Sequence, residues 1–142
     1  MVAIAIAADI VPLTGENRTL TYFGLQVNNT NPRVGIKAMT QAVDKSELTI
    51  TDVVFILAPR INAAGRLYHG NFAVALLTET DPDIAKEKAT ELDKNNNERK
   101  QLDKTITDEA LRQIEENNEQ QNFSTVVYNE TWHKGVIGIV AS

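Results

Sequence analysis

Apolar positions come in short blocks along most of this chain and thin to a single stripe in its middle. Residues 2–11 are almost wholly apolar up to Asp9. The alternation of Val2, Ile4 and Ile6 favours a strand and the alanines favour a helix; a block this short does not decide between them. Leu13–Asn17 reads as a turn, with Thr14 and Asn17 as candidate N-caps. Residues 18–28 predict a short amphipathic helix with Leu20, Phe23, Gly24 and Val27 on its apolar side. Asn28–Pro32 breaks it, and residues 33–43 predict a second helix that buries Val34, Ala38, Met39 and Val43 in part. After a loop at Asp44–Glu47, Thr49 or Thr51 is placed to cap a helix that carries Phe55 and Leu57 into the core. Residues 71–78 predict a short buried helix beyond Gly70.

The pattern changes at residue 82. Pro82 suits a first helical turn, with Asp81 as N-cap, and neither Gly nor Pro recurs before residue 117. Ala85, Ala89, Leu92, Leu102, Ile106, Ala110 and Ile114 follow a spacing of three or four, interrupted by Asn95–Asn97 and Arg99. So thin a stripe marks a helix exposed over most of its girth. Thirty-six residues at 1.5 Å each would span about 54 Å, which suggests a helix joining two lobes, with a coiled-coil arm as the alternative. Asn117–Asn122 reads as a polar linker. Phe123–Tyr128 alternates and is rich in β-branched and aromatic residues, which predicts a strand. Asn129–Gly135 is a loop, and Val136–Ser142 begins a helix. The predicted fold is mainly α with a small α/β start at the C-terminus. Both chain ends fall within apolar elements, so a piece of a larger protein is expected.

Composition narrows the chemistry. Among 142 residues there is no cysteine, which removes disulfides, thiolate metal sites and a cysteine nucleophile. That composition is compatible with a cytoplasmic protein, and no apolar run reaches membrane length. The net charge of −5 is concentrated in residues 81–121, where twelve Asp/Glu face seven Lys/Arg. The remainder is neutral, so the overall acidity does not argue against an anionic partner elsewhere.

The densest stretch is Phe55–Arg66, where Pro59, Arg60, Asn62, Gly65 and Arg66 follow an apolar start. Pro59 can kink or end a helix, and Gly65 permits backbone angles closed to other residues. Arginine forks match phosphate oxygens bidentately, which makes an anion-binding corner one reading. Arginines that cap a helix C-terminus are the other. Asp9 is a candidate metal ligand or base, or a helix cap. His69 and His133 lack ligand spacing to any partner. Gly135-Val-Ile-Gly138 at a helix start offers a phosphate cradle of backbone N–H groups, with tight helix packing as the plainer account.

Three stretches in order carry a resemblance: Ala8–Arg18, Leu57–Arg66 and Glu130–Ser142, together with Leu92–Arg99 on the long helix. They resemble the RecJ-type single-stranded-DNA exonucleases of the DHH phosphoesterase family, and the resemblance covers nearly the whole chain. It implies that residues 1–80 are the C-terminal part of a DHH-type catalytic lobe. Residues 81–121 would be the connecting helix and linker, and residues 122–142 the start of a DHH-associated substrate-binding lobe. It implies a 5′→3′ exonuclease of single-stranded DNA, acting in repair and recombination, with a two-metal site for Mn2+ or Mg2+. Asp9 would be one metal ligand. Arg60, Asn62, Arg66, Lys134 and Gly135 would contact DNA, and His133 would serve as a catalytic group. The Asp-His-His motif of that family is absent from residues 1–142, so the chain alone is expected to be inactive. A non-catalytic helical interaction module and a DHH-family phosphodiesterase of small nucleotides are the competing readings. The oligomeric state is open.

Overall fold

A computed structural model describes residues 1–9 and 11–142. Ile10, within the first apolar block, lies outside the described residues. The described residues are mainly helical and contain no strand. They divide into two compact units, Met1–Asn96 and Asn97–Ser142, and the boundary falls inside the Asn95–Asn97 cluster.

In the first unit the opening block is a helix, α1 (Val2–Ala8). It packs on α2 (Gly15–Thr30), which Thr14 begins. The contact is made of small residues: a Cβ on Gly24 would stand 2.6 Å from the Ala3 Cβ. This close approach decides which side of α2 is covered. Thr21 and Asn28 are buried, whereas Leu20, Phe23 and Val27, expected on the inner side, are exposed. Phe23 instead meets Tyr22 edge to face, with ring centroids 5.2 Å apart.

α3 (Val34–Ala42) buries Ile36, Ala38 and Met39. The loop after it is tied back to α2 by one side chain. The Asn29 amide accepts from the Leu48 N–H at 2.8 Å and donates to the Leu48 carbonyl at 2.9 Å, as a paired strand would. Thr49 then opens α4 (Ile50–Asp52) with a complete capping box. The Thr49 N–H and hydroxyl both donate to the Asp52 carboxylate, at 2.9 and 2.6 Å, and Lys45 pairs with it at 2.9 Å.

These donors, the Thr49 hydroxyl first, hold the Asp52 carboxyl at about 2, against an ordinary value of 3.8. A depressed carboxylate contributes stability above its unfolded value and loses it on protonation. The contribution is therefore complete above pH 3.8 and disappears as pH falls to about 2. Unfolding of the wild type and of Asp52→Asn, followed across that window, should show the wild-type advantage shrinking with acid. A gap independent of pH would contradict the assignment.

The helix continues through a π turn at Val53–Leu57 into α5 (Ala58–Leu67), and Pro59, which lacks an N–H for the helix ladder, stands just after that turn. Leu57 is fully buried, but Phe55, expected beside it in the core, is 73% exposed. α6 (Asn71–Leu77) follows Gly70. It lies so close to α3 that Gly35 packs directly on the Leu76–Leu77 backbone.

α7 (Pro82–Glu116) is helical through the Asn95–Asn97 cluster. Asp81 caps it, accepting from the N–H groups of Asp83 and Ile84 at 2.9 and 3.1 Å. Ala85, Ala89 and Leu92 enter the core of the first unit. In the second unit Ile106, Ala110 and Val136 are buried.

Residues 123–128 do not form the expected strand: no other strand is present among the described residues to receive a ladder, and Phe123, Val126 and Tyr128 are exposed. A strand needs a neighbour for its N–H and C=O groups. Here the Gln113 amide supplies one fragment of it, accepting from the Tyr128 N–H at 3.3 Å and donating to its carbonyl at 3.2 Å. The Trp132 Nε1–H donates to Glu109 at 2.7 Å, and the short helix α8 (Ile137–Val140) ends the unit.

Candidate functional site

The Phe55–Arg66 stretch occupies the π turn and α5. α1, which Asp9 ends, packs on both. Asn62 and Arg66 lie one turn apart on α5, and both are exposed. Residues four apart share a helix face, so an amide side chain and a guanidinium side chain lie on one face. Arg66 stands in the last turn of α5, where a cation also suits the helix dipole. Gly65 between them is exposed, with no atom within 4 Å of a Cβ placed on it. It lies within the helix, so its value here is the absence of a side chain and not an unusual backbone angle.

Arg60 is placed differently. Its Nε and Nη2 both donate to Asp93 Oδ1 on α7, at 2.9 and 2.7 Å. Its Nη1 donates to the Ile56 carbonyl in the π turn at 2.8 Å. The Arg60 side chain is 16% exposed. It therefore faces α7 and its own preceding turn, not the exposed side that carries Asn62 and Arg66. Asp93 had no signal of its own in the sequence, because a partner 33 positions away leaves no local periodicity.

Asp9 is exposed. Among the described residues no group of three His, Cys, Asp or Glu side chains is gathered to hold a metal. A divalent ion needs several oxygen or nitrogen ligands, so Asp9 can contribute one and cannot hold an ion by itself.

In the second unit, His133 organises the turn before α8. The Gly135 N–H donates to His133 Nδ1 at 3.1 Å, and the N–H groups of Val136 and Ile137 donate to the His133 carbonyl at 2.9 and 3.3 Å. The expected phosphate cradle is thus not what these groups form, because three successive donors are already directed to His133. With Nδ1 accepting, the neutral ring carries its proton on Nε2. Lys134 is exposed on the same turn.

No family model matches the chain. Its whole length is similar to the single-stranded-DNA-specific exonuclease RecJ of Salmonella typhimurium (38% identity, 26% of that protein) and of Bacillus subtilis (39% identity, 18% of that protein). The chain thus spans about a quarter or less of the curated relatives it matches. Crystal structures of RecJ from Thermus thermophilus, in complex with Mg2+ and with Mn2+, share its fold with TM-scores of 0.84 and 0.85. Both are 32% identical and cover 98% of this chain, which spans 22% and 21% of theirs.

Proposed function

We propose that this chain, a RecJ-type segment in both sequence and fold, forms part of a metal-dependent 5′→3′ exonuclease of single-stranded DNA that acts in repair and recombination. Residues 1–80 belong to the catalytic lobe, residues 81–121 connect, and residues 122–142 begin the substrate-binding lobe. Asn62 and Arg66 meet the DNA backbone from the exposed face of α5. Asp9 supplies one ligand to Mn2+ or Mg2+, and the remaining ligands come from outside this chain. His133 and Lys134 form a second point of substrate contact on the turn that the Gly135 N–H closes onto His133 Nδ1, with His133 Nε2 as the group able to donate to a phosphate oxygen. The observation that carries this reading is the pairing of whole-length similarity to RecJ proteins with an exposed Asn62–Arg66 face on the most motif-like stretch of the chain.

The test is titration of a labelled single-stranded oligonucleotide at several salt concentrations. Each phosphate contact made by a cation on single strands contributes about 0.7 to the slope of log K against log salt. Arg66→Gln should weaken binding and flatten that slope by about this amount. Unchanged affinity and slope would remove Arg66 from the DNA contact. Incubation of the chain with 5′-labelled strand and Mn2+ should give no stepwise degradation, since one carboxylate does not assemble a metal pair.

A further inference from the structure

We propose that Arg60 is a positioning residue and not a phosphate ligand: through Asp93 it ties the start of α5 to α7 and so fixes the direction in which Asn62 and Arg66 are presented. The inference rests on the proposed DNA-facing role of α5, but its central observation concerns the protein alone. Three of the five guanidinium N–H groups of Arg60 are committed, two to Asp93 and one to the Ile56 carbonyl. The two anchors lie on different elements, one on α7 and one in the π turn that precedes α5. A guanidinium held at both ends is a strut between them.

Asp93 is itself fixed in place, because its neighbour Leu92 is fully buried in the core of the first unit. The Asp93 side chain is 34% exposed and that of Arg60 16%, so the pair is only partly screened by solvent. Turning Arg60 outward to a phosphate would break charge-assisted bonds at both anchors before making any new ones. Arg60 thus holds the start of α5, and Arg66 stands six residues further along the same helix at an exposed position.

Hydrogen exchange of this chain, combined with the salt titration, tests the proposal. Asp93→Asn should raise amide exchange over residues 60–66 several-fold while residues 2–8 keep wild-type protection, since the tie to α5 is weakened. Asp93→Glu, which keeps a carboxylate for the fork, should retain wild-type exchange. In the oligonucleotide titration, Asp93→Asn and Arg60→Gln should both weaken binding, with the salt slope unchanged, because no phosphate contact is lost. Wild-type exchange in Asp93→Asn would overturn the tie. So would tighter binding with a steeper slope in that variant, which would make Arg60 a phosphate ligand that Asp93 restrains. So would a flatter slope in Arg60→Gln. Arg66→Gln, run alongside, reports on the DNA-facing role of α5 separately, so loss of that role and loss of the strut are distinct results.

Discussion

Gly35→Ala should be among the most damaging single-methyl changes in this chain. The Cβ it adds would fall on the Leu76 carbonyl oxygen, 2.9 Å from the carbonyl carbon and 3.3 Å from the Leu77 Cα. All three are backbone atoms of α6 and cannot rotate away as a side-chain end would. α3 and α6 must separate, and both bury core residues, Ile36 and Met39 on one and Leu76 on the other. Overpacking of a tight core costs about 1–3 kcal/mol and more where backbone must move, so a loss of about 3 kcal/mol is expected. For a chain of this size that is a fall in Tm of roughly 10 °C. Gly65→Ala is the internal control: nothing lies within 4 Å of its added Cβ. It sits in a helix, where alanine is favoured over glycine by up to about 1 kcal/mol. Thermal unfolding of the two variants should therefore move in opposite directions. A Gly35→Ala variant that melts with the wild type would mean that the α3–α6 approach is looser than the structure shows.

Most of the helices were legible because they have a local cause, whereas α1, whose short apolar block fits a strand equally well, was not. Asp81 before Pro82, Thr49 before Asp52 and Gly70 before an apolar run are start signals that need no tertiary information. The stripe on α7 was also legible: Ala85, Ala89, Leu92, Ile106 and Ala110 are buried, and Leu102 and Ile114 are half-buried. What could not be read on α2 was how its apolar side is divided: Gly24, expected there with Leu20, Phe23 and Val27, does meet Ala3 closely, while the three larger residues are exposed. The Phe123–Tyr128 stretch has strand composition, but strand formation depends on a partner that local sequence does not supply. The site divides in the same way. The stretch from Pro59 to Arg66 announced itself by residue type, yet the separate placement of Arg60 and Arg66 depended on Asp93 and on the phase of the helix after the π turn. Asp9 was legible as the residue that ends α1.

The π turn also sets the second large effect expected, a contrast between two apolar neighbours. Leu57 is fully buried and belongs to the core of the first unit, whereas Phe55 is 73% exposed. Leu57→Ala should cost about 2–5 kcal/mol, combining lost transfer energy with the cavity left in a packed core. The higher part of that range is favoured by the complete burial of Leu57 in a cluster that it shares with Val53, Ala64 and Leu92. Phe55→Ala removes more carbon but should change stability by only about 0.5 kcal/mol or less, because the ring already lies in solvent. Denaturant unfolding of the two variants gives the comparison directly. Comparable losses from both would show that the ring of Phe55 is covered in the folded chain. Exposure of an aromatic ring on the turn that leads into Asn62 and Arg66 gives Phe55→Ala a second readout. If single-stranded DNA runs along this side, removal of the ring should weaken binding without the stability loss, since stacking of a base on an aromatic side chain contributes about 1–3 kcal/mol. Stability and binding would then separate at two positions only two residues apart, Leu57 through the core it fills and Phe55 through the ring it exposes.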